Sequence, residues 1–357
     1  MKLVVANLTS GGLSGGYRKY LSRLMPLLAA DPRISRMTVF VPGDMRLDGV
    51  DARPWDPGDA RRGYASLIRD VAALAPDLVF VPTARYVAFG SVPVVTMVRN
   101  MEPLAVPFGG NTLREGLKNI ARAWEARRAS RRAARVIAVS EYVRRYLLEH
   151  WHIDERKVGR AYHGIDRPAR QDDRPAGAPP ALFTAGSIRP ARGLEDAVRA
   201  LPLVDRGVRL VVAGRVDPGC ERYAAALQRT AAELGVADRI TWRGQLDERA
   251  MSEAYGATSV FVMTSRAEAC PNTVLEAMMS GCASISVDHP PMPEIFDRAA
   301  RYYPAGDATA LAAHVRALFD DPAARRELGA AGAARALTFS WEASRDQTIA
   351  ELEKALA

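Results

Sequence analysis

Residues 260–287 read VFVMTSRAEACPNTVLEAMMSGCASISV. Val260–Thr264 is an unbroken run of apolar and β-branched residues, the pattern of a strand covered on both faces. A polar loop follows, then a helix over Thr273–Gly281, then a second apolar run at Ala283–Val287. Strand, helix, strand in that rhythm is the unit of a parallel α/β sheet.

The same rhythm extends in both directions. Towards the N-terminus of this half, strands are expected at Ala181–Ala185, Leu210–Ala213 and Ile240–Trp242, with helices near Leu194–Leu201, Glu221–Leu234 and Arg249–Tyr255. Helices at Ala308–Phe319, Ala323–Leu337 and Trp341–Leu356 close the chain. In the first half the strands are Leu3–Ala6, Met37–Val41, Leu78–Val81, Val94–Val98 and Val136–Val139. Helices near Gly16–Ala30, Asp59–Ala75, Thr112–Arg132 and Glu141–Glu149 separate most of them. Between the halves, Asp166–Pro180 (DRPARQDDRPAGAPP) has no apolar periodicity and is rich in proline, which marks a linker. The expectation is an α/β protein of two doubly wound, Rossmann-like parallel-sheet domains. They span 1–165 and 181–340, with linker 166–180 between them and a last helix over 341–357.

A length of 357 residues suits two domains, and 48% hydrophobic with 25% charged residues excludes a disordered or fibrous chain. No run approaches the roughly 18 apolar residues of a membrane span. Only a short apolar stretch separates Lys2 from Asn7, too little for a signal-peptide core, and the three cysteines show no CxxC spacing. The cytoplasm is the expected address. Charge is unevenly placed: residues 1–165 hold 26 Lys and Arg against 15 Asp and Glu, and the rest of the chain holds 23 against 26.

Within the opening segment, Glu268 lies in the loop leaving a buried strand, at the carboxyl edge where open α/β sheets bind ligands. Glu276 lies inside the following helix. Carboxylates so placed can accept hydrogen bonds from hydroxyls at two points along one extended ligand. The backbone N–H groups of Asn272 and Thr273 open the helix between them, an end that attracts phosphate. A surface glutamate plus a glutamate favouring the helix dipole explains the same spacing. A second loop, Gly186–Gly193, leaves the strand ending at Ala185 and carries Arg189 and Arg192. Guanidinium groups there suit a diphosphate, and a solvated loop in an arginine-rich protein is the plain alternative. No Asp-x-Asp occurs to clamp a metal–diphosphate complex, so no divalent metal and no other cofactor is expected.

These segments resemble the retaining GT-B glycosyltransferases, in particular glycosyltransferase family four. The likeness is carried by EACPNTVLEAMMSGCASIS, the Gly-rich Ser10–Gly16, Ala138-Val139-Ser140-Glu141-Tyr142-Val143 and Tyr162-His163-Gly164-Ile165-Asp166. It continues through Gly186–Gly193 and Phe339-Ser340-Trp341. The resemblance implies two domains facing a cleft, the donor on the second and the acceptor on the first, with the last helix crossing back to the first. It implies that Glu276 holds the ribose of a nucleotide diphosphate sugar and that Glu268 holds the sugar hydroxyls. Arg189, Arg192 and Glu268 become the expected catalytic residues of a hexosyltransferase acting with retention. Gly12, Gly15, Gly16, Ser187, Asn272, Thr273 and Glu276 become the donor contacts. Ser187 stands where the family usually has arginine, and Arg192 where it has lysine. The acceptor is a hydroxyl of a glycan, a lipid-linked or a small molecule, with polysaccharide assembly a natural setting. A UDP-sugar epimerase, a phosphorylase-type enzyme and a non-catalytic sugar-nucleotide or anionic-surface binder are the alternatives.

Many relatives carry a His-Asp pair after the Val94–Val98 strand; here Arg99-Asn100 stands near that place, suiting an anionic acceptor and the donor sugar respectively. His163 reads as a loop anchor, and His150 and His152 point to different faces, so they form no metal pair. Finally, residues 113–135 hold eight basic side chains against Glu115 and Glu125, with Leu117, Ile120, Ala121 and Trp124 on another side. That pattern suits peripheral contact with the anionic inner face of a membrane. A solvated helix packed on its own core gives the same pattern. No nucleic-acid motif accompanies the charge.

Overall fold

The computed structural model describes residues 1–9, 15–43, 45–106, 108, 110, 112–167 and 180–357. Gly12 and most of the expected linker lie outside the described residues. Among those described, one sheet contains β1 (Lys2–Ala6), β2 (Arg36–Pro42), β3 (Asp51–Trp55), β4 (Leu78–Val81), β5 (Val94–Val98), β6 (Arg135–Ala138) and β7 (Val158–Arg160). Their order is β3-β2-β1-β4-β5-β6-β7, and every pairing is parallel. The other contains β8 (Ala181–Ala185), β9 (Arg209–Ala213), β10 (Ile240–Gly244), β11 (Val260–Met263), β12 (Ala283–Val287) and β13 (Arg301–Tyr303). Their order is β10-β9-β8-β11-β12-β13, again parallel throughout.

In both sheets the first strand in sequence lies in the interior, and the chain reverses its direction of travel beside it. Central strands such as β4, β5 and β12 are buried at every position, which explains their unbroken apolar runs. The strands absent from the sequence reading, β3, β7 and β13, all lie at sheet edges. β3 reads DARPW and is mostly open, with Pro54 tolerated because an edge strand need not donate on its outer side. The helix expected over Asp59–Ala75 is broken. A 3₁₀ turn over Pro57–Arg62 ends at Gly63 (φ 69°), and an α-helix restarts over Ala65–Ala73.

The chain divides into two compact units. The first holds residues 1–104, 118–164 and 339–357; the second holds 105–117 and 165–338. Residues 105–117 thus group with the second unit, which corrects the single domain expected over 1–165. In the first unit, the helix Trp341–Glu353 packs against the helix Gly15–Ala29 and the strands β6 and β7. Ser340 caps it by accepting from Ala343 N at 3.0 Å. Ser344 Oγ donates to Tyr162 O at 2.6 Å, and Gln347 Oε1 accepts from Tyr162 N at 3.0 Å. Glu351 is held by the Arg135 guanidinium and by Lys354 Nζ, the latter at 2.7 Å. A Cβ at Gly159 would overlap the Glu351 carboxylate, so only glycine fits beneath that pair.

Candidate active site

In the second sheet, β8 and β11 are neighbours from which the strand order runs outward in opposite directions. Their C-terminal ends are therefore the switch point at which open α/β sheets bind ligands. The loops leaving them carry the arginines and Glu268. One backbone and one side-chain bond fix the two loops together: Arg266 N donates to Ala191 O at 2.8 Å, and Thr264 Oγ1 to Arg192 O at 2.6 Å. Gly193 has φ 60°, and a Cβ there would stand 2.5 Å from Thr264 O, so a side chain would force the loops apart.

Arg192 and Glu268, read separately in the sequence, are partners. Arg192 Nη1 lies 2.5 Å from Glu268 Oε1, with side chains 15% and 12% exposed. Gly186 makes this possible, since its Cβ would meet Arg192 Cζ at 2.6 Å. Arg192 Nε is buried and has no partner, leaving a donor unused in the site. Arg189 instead faces Asp217, Nη1 to Oδ2 at 3.6 Å, so the two arginines serve different carboxylates. Ser187, earlier in the same loop, is half-buried.

The helix Asn272–Met279 begins after Pro271, and no side chain caps it. Thr273 Oγ1 is buried there without a partner. Glu276 Oε2 accepts from Tyr255 Oη at 3.0 Å, and the same hydroxyl reaches Thr273 O at 3.2 Å. Burial, reinforced by the Glu276 charge, raises the Tyr255 pKa well above its ordinary value, so the phenol remains a donor. Tyr255 was not legible as part of the site, because its contact with Glu276 spans 21 positions and leaves no local pattern. Arg266, also unread, bonds Glu195 at 2.8 Å and Asp196 at 3.0 Å. Asp196, whose carboxyl is pushed up by burial, also accepts from Tyr303 Oη and Gly306 N. That network ties the loop after β11 to the helix Glu195–Ala200 and brings Arg266 no nearer to ligand chemistry.

In the first unit, Gly15 and Gly16 open the helix Gly15–Ala29, and a Cβ on Gly15 would meet nothing within 4 Å. Arg99 lies over two tyrosine rings, its guanidinium carbon 4.1 Å from the Tyr17 centroid and 4.7 Å from that of Tyr20. Tyr17 Oη donates to Asn7 Oδ1 at 2.9 Å, and burial drives the phenol pKa values of both tyrosines up. Asn100 accepts from Glu102 N at 3.1 Å, a local capping bond at the turn Glu102–Ala105. His163 is buried against Tyr20, ring centroids 5.4 Å apart. No three His, Cys, Asp or Glu side chains group as a metal site among the described residues. No helix among them is long and apolar enough to cross a membrane.

Residues 166–335 match the family of glycosyl transferases group 1, and residues 15–167 match glycosyltransferase family 4. The chain belongs to this glycosyltransferase family. Its two parallel α/β units are those of the GT-B fold. The chain is similar to the Anabaena protein Alr3699/HepE, solved with UDP and with UDP-glucose. The complex with UDP has a TM-score of 0.78 at 16% identity, covering 99% of this chain and 100% of that one. Sucrose-phosphate synthase from Thermosynechococcus elongatus has a TM-score of 0.74 at 18% identity, covering 98% of each chain. Among curated glycosyltransferases, D-inositol 3-phosphate glycosyltransferase of Streptomyces scabiei is 29% identical over 60% of this chain and 52% of its own. MMP alpha-(1->4)-mannosyltransferase of Mycolicibacterium hassiacum is 27% identical over 49% of this chain and 43% of its own. The chain spans about half the length of the curated relatives it matches.

Proposed function

We propose that this glycosyltransferase moves a sugar from a nucleoside diphosphate sugar to an acceptor hydroxyl, retaining the anomeric configuration and needing no divalent metal. The observation that carries the reading is the Arg192–Glu268 pair at the sheet's switch point, beside the uncapped start of helix Asn272–Met279. A guanidinium and the N-terminal end of a helix are complementary to a diphosphate. Glu268 and Glu276 then take hydroxyls on either side of it, Glu268 on the sugar and Glu276 on the ribose. Arg189 adds positive charge, and Ser187, Asn272 and Thr273 add donors, Thr273 Oγ1 being a buried hydroxyl with no protein partner. The UDP and UDP-glucose held by the Anabaena neighbour support a uridine diphosphate donor. Gly12, Gly15 and Gly16 are further donor contacts, and Arg99 and Asn100 serve the acceptor or sugar side, where Arg99 favours an anionic acceptor.

The chemistry needs no covalent enzyme intermediate. The bond from the anomeric carbon to the diphosphate oxygen breaks, Arg192 stabilises the charge growing on that oxygen, and the oxygen takes the acceptor's proton. The acceptor oxygen then bonds to the same face of the sugar. The test is the anomeric proton of the product by NMR, with nucleoside diphosphate released in equal amount. An inverted linkage, or a sugar trapped covalently on Glu268 by a slow fluorinated donor, would replace this route.

Two further results follow from the same assignment. Glu276→Gln should weaken binding of the free nucleoside diphosphate on the order of ten-fold or more, since a hydrogen bond to a charged acceptor is lost. Glu268→Gln should leave that affinity nearly intact and weaken only the intact nucleotide sugar. Calorimetry with both ligands separates the two, and equal effects on both ligands would overturn the assignment of ribose and sugar. Turnover should also survive EDTA, because Arg192 and Arg189 supply the charge a metal would bring. Activity lost in EDTA and restored by magnesium or manganese would contradict this.

A further inference from the structure

The helix Leu113–Arg132 is built the wrong way round for a surface helix. Its packed side is made of small residues: Asn119, Ala126, Ala129 and Ser130 are all 4% exposed or less. The large apolar side chains point the other way. Leu113 is 73% exposed, Leu117 56%, Ile120 45% and Trp124 64%. At 100° per residue these four fall within about 60° of one another, so they form one stripe rather than a scatter. The solvated helix resting on its own apolar face, left open by the sequence, is therefore excluded. The residues that would have made that face are the ones turned to water.

Charge says what the stripe meets. Towards the C-terminal end of the helix the same side continues as Arg127, Arg128 and Arg131, and with Arg132 and Trp124 they line a shallow hollow. Arg128 lies over the Trp124 ring, 5.5 Å from its centroid. Of the helix's two acidic residues, Glu125 is engaged by Arg85 at 3.7 Å. An apolar stripe that passes into a cluster of guanidinium groups, with tryptophan at the junction, matches the boundary between acyl chains and anionic headgroups. A second copy packed in parallel on this stripe would bring two such arginine clusters together, which like charge opposes, and light scattering reads the antiparallel pairing.

We infer that the helix Leu113–Arg132 is the protein's docking surface for an anionic lipid bilayer, its apolar stripe entering the interface and its terminal arginines binding lipid phosphates. This does not depend on the donor reading, because none of these residues belongs to the Arg192–Glu268 site.

The experiment is cosedimentation of the full chain with vesicles of phosphatidylcholine alone and of phosphatidylcholine mixed with phosphatidylglycerol. Binding is expected to the mixed vesicles, to fall with added salt, and to be weak or absent on phosphatidylcholine. An Ile120→Ser, Trp124→Ser pair and an Arg128→Glu, Arg132→Glu pair should each lower the partition coefficient about ten-fold or more. Both pairs are exposed, so melting temperatures should match the parent. Binding that is unaffected by either pair, or absent from both vesicle types, overturns the inference. A dimer by light scattering that the Ile120→Ser, Trp124→Ser pair dissociates overturns it in favour of a second copy.

Discussion

Replacing Arg192 with alanine should reduce turnover on the order of 100- to 1000-fold, the usual effect of removing one preorganised donor from developing negative charge. The structure gives the expectation two parts. The guanidinium is fixed before any ligand arrives, by Glu268 at 2.5 Å and by the close approach of Gly186 beneath it. No reorganisation is then needed when the diphosphate leaves. The second part concerns Glu268, which is 12% exposed and loses its cation in the variant. Some loss of stability should accompany the loss of rate, so a melting curve belongs beside the kinetics. Arg192→Lys separates the contributions: it keeps the charge and loses the planar fork, and should recover part of the rate. A kcat within ten-fold of the parent in the alanine variant would remove Arg192 from the chemistry.

The largest effect on stability is expected in the first unit, at Arg135. Its guanidinium holds Glu351, with side chains 11% and 8% exposed, and its Nη1 also donates to Arg156 O at 2.6 Å. Breaking a buried pair by removing one partner costs about 3–5 kcal/mol, since the other charge is left without compensation. Lys354 reaches Glu351 at 2.7 Å from a half-exposed position and offsets part of this. Arg135→Ala should therefore lie near the lower end of that range. A combined Arg135→Met, Glu351→Leu variant should recover most of the loss, because a buried pair exchanged for apolar groups is often neutral. Denaturant melts of the three proteins provide the comparison. An Arg135→Ala protein as stable as the parent would show the pair to be solvated.

The interior of both sheets was legible in the sequence because strands such as β5 and β12 meet neighbours on both faces and must be apolar at every position. Edge strands carry no such demand. β7 and β13 are three residues long, VGR and RYY, and pair on one side only, so nothing in their composition separates them from loops. The site divides in the same way. Glu268 and Glu276 could be read from their own segment, and Arg189 and Arg192 from theirs. That Arg192 would take Glu268, 76 positions away, while Arg189 took Asp217, depends on the side-by-side placement of β8 and β11. The basic helix shows a third kind of limit. Periodicity identified an apolar stripe at Leu117, Ile120 and Trp124 but could not say which way it faced. A packed side of alanine, serine and asparagine gives almost no hydrophobic signal of its own.

The first unit is interrupted in the chain: residues 165–338 are made before residues 339–357 return to complete it. On a ribosome adding ~5–20 residues per second, that interval lasts roughly ten to thirty seconds. Throughout it, β6, β7 and the helix Gly15–Ala29 lack the helix that will cover them, and Arg135 has no Glu351. The strands of the second sheet, by contrast, all emerge before residue 339. Synthesis runs from the first unit to the second, but closure runs the other way. The half of the molecule that emerges first is the half that waits longest for chaperones, proteases or its own last helix. A break in the chain within Trp341–Glu353 would strike the unit made earlier rather than the one made just before it.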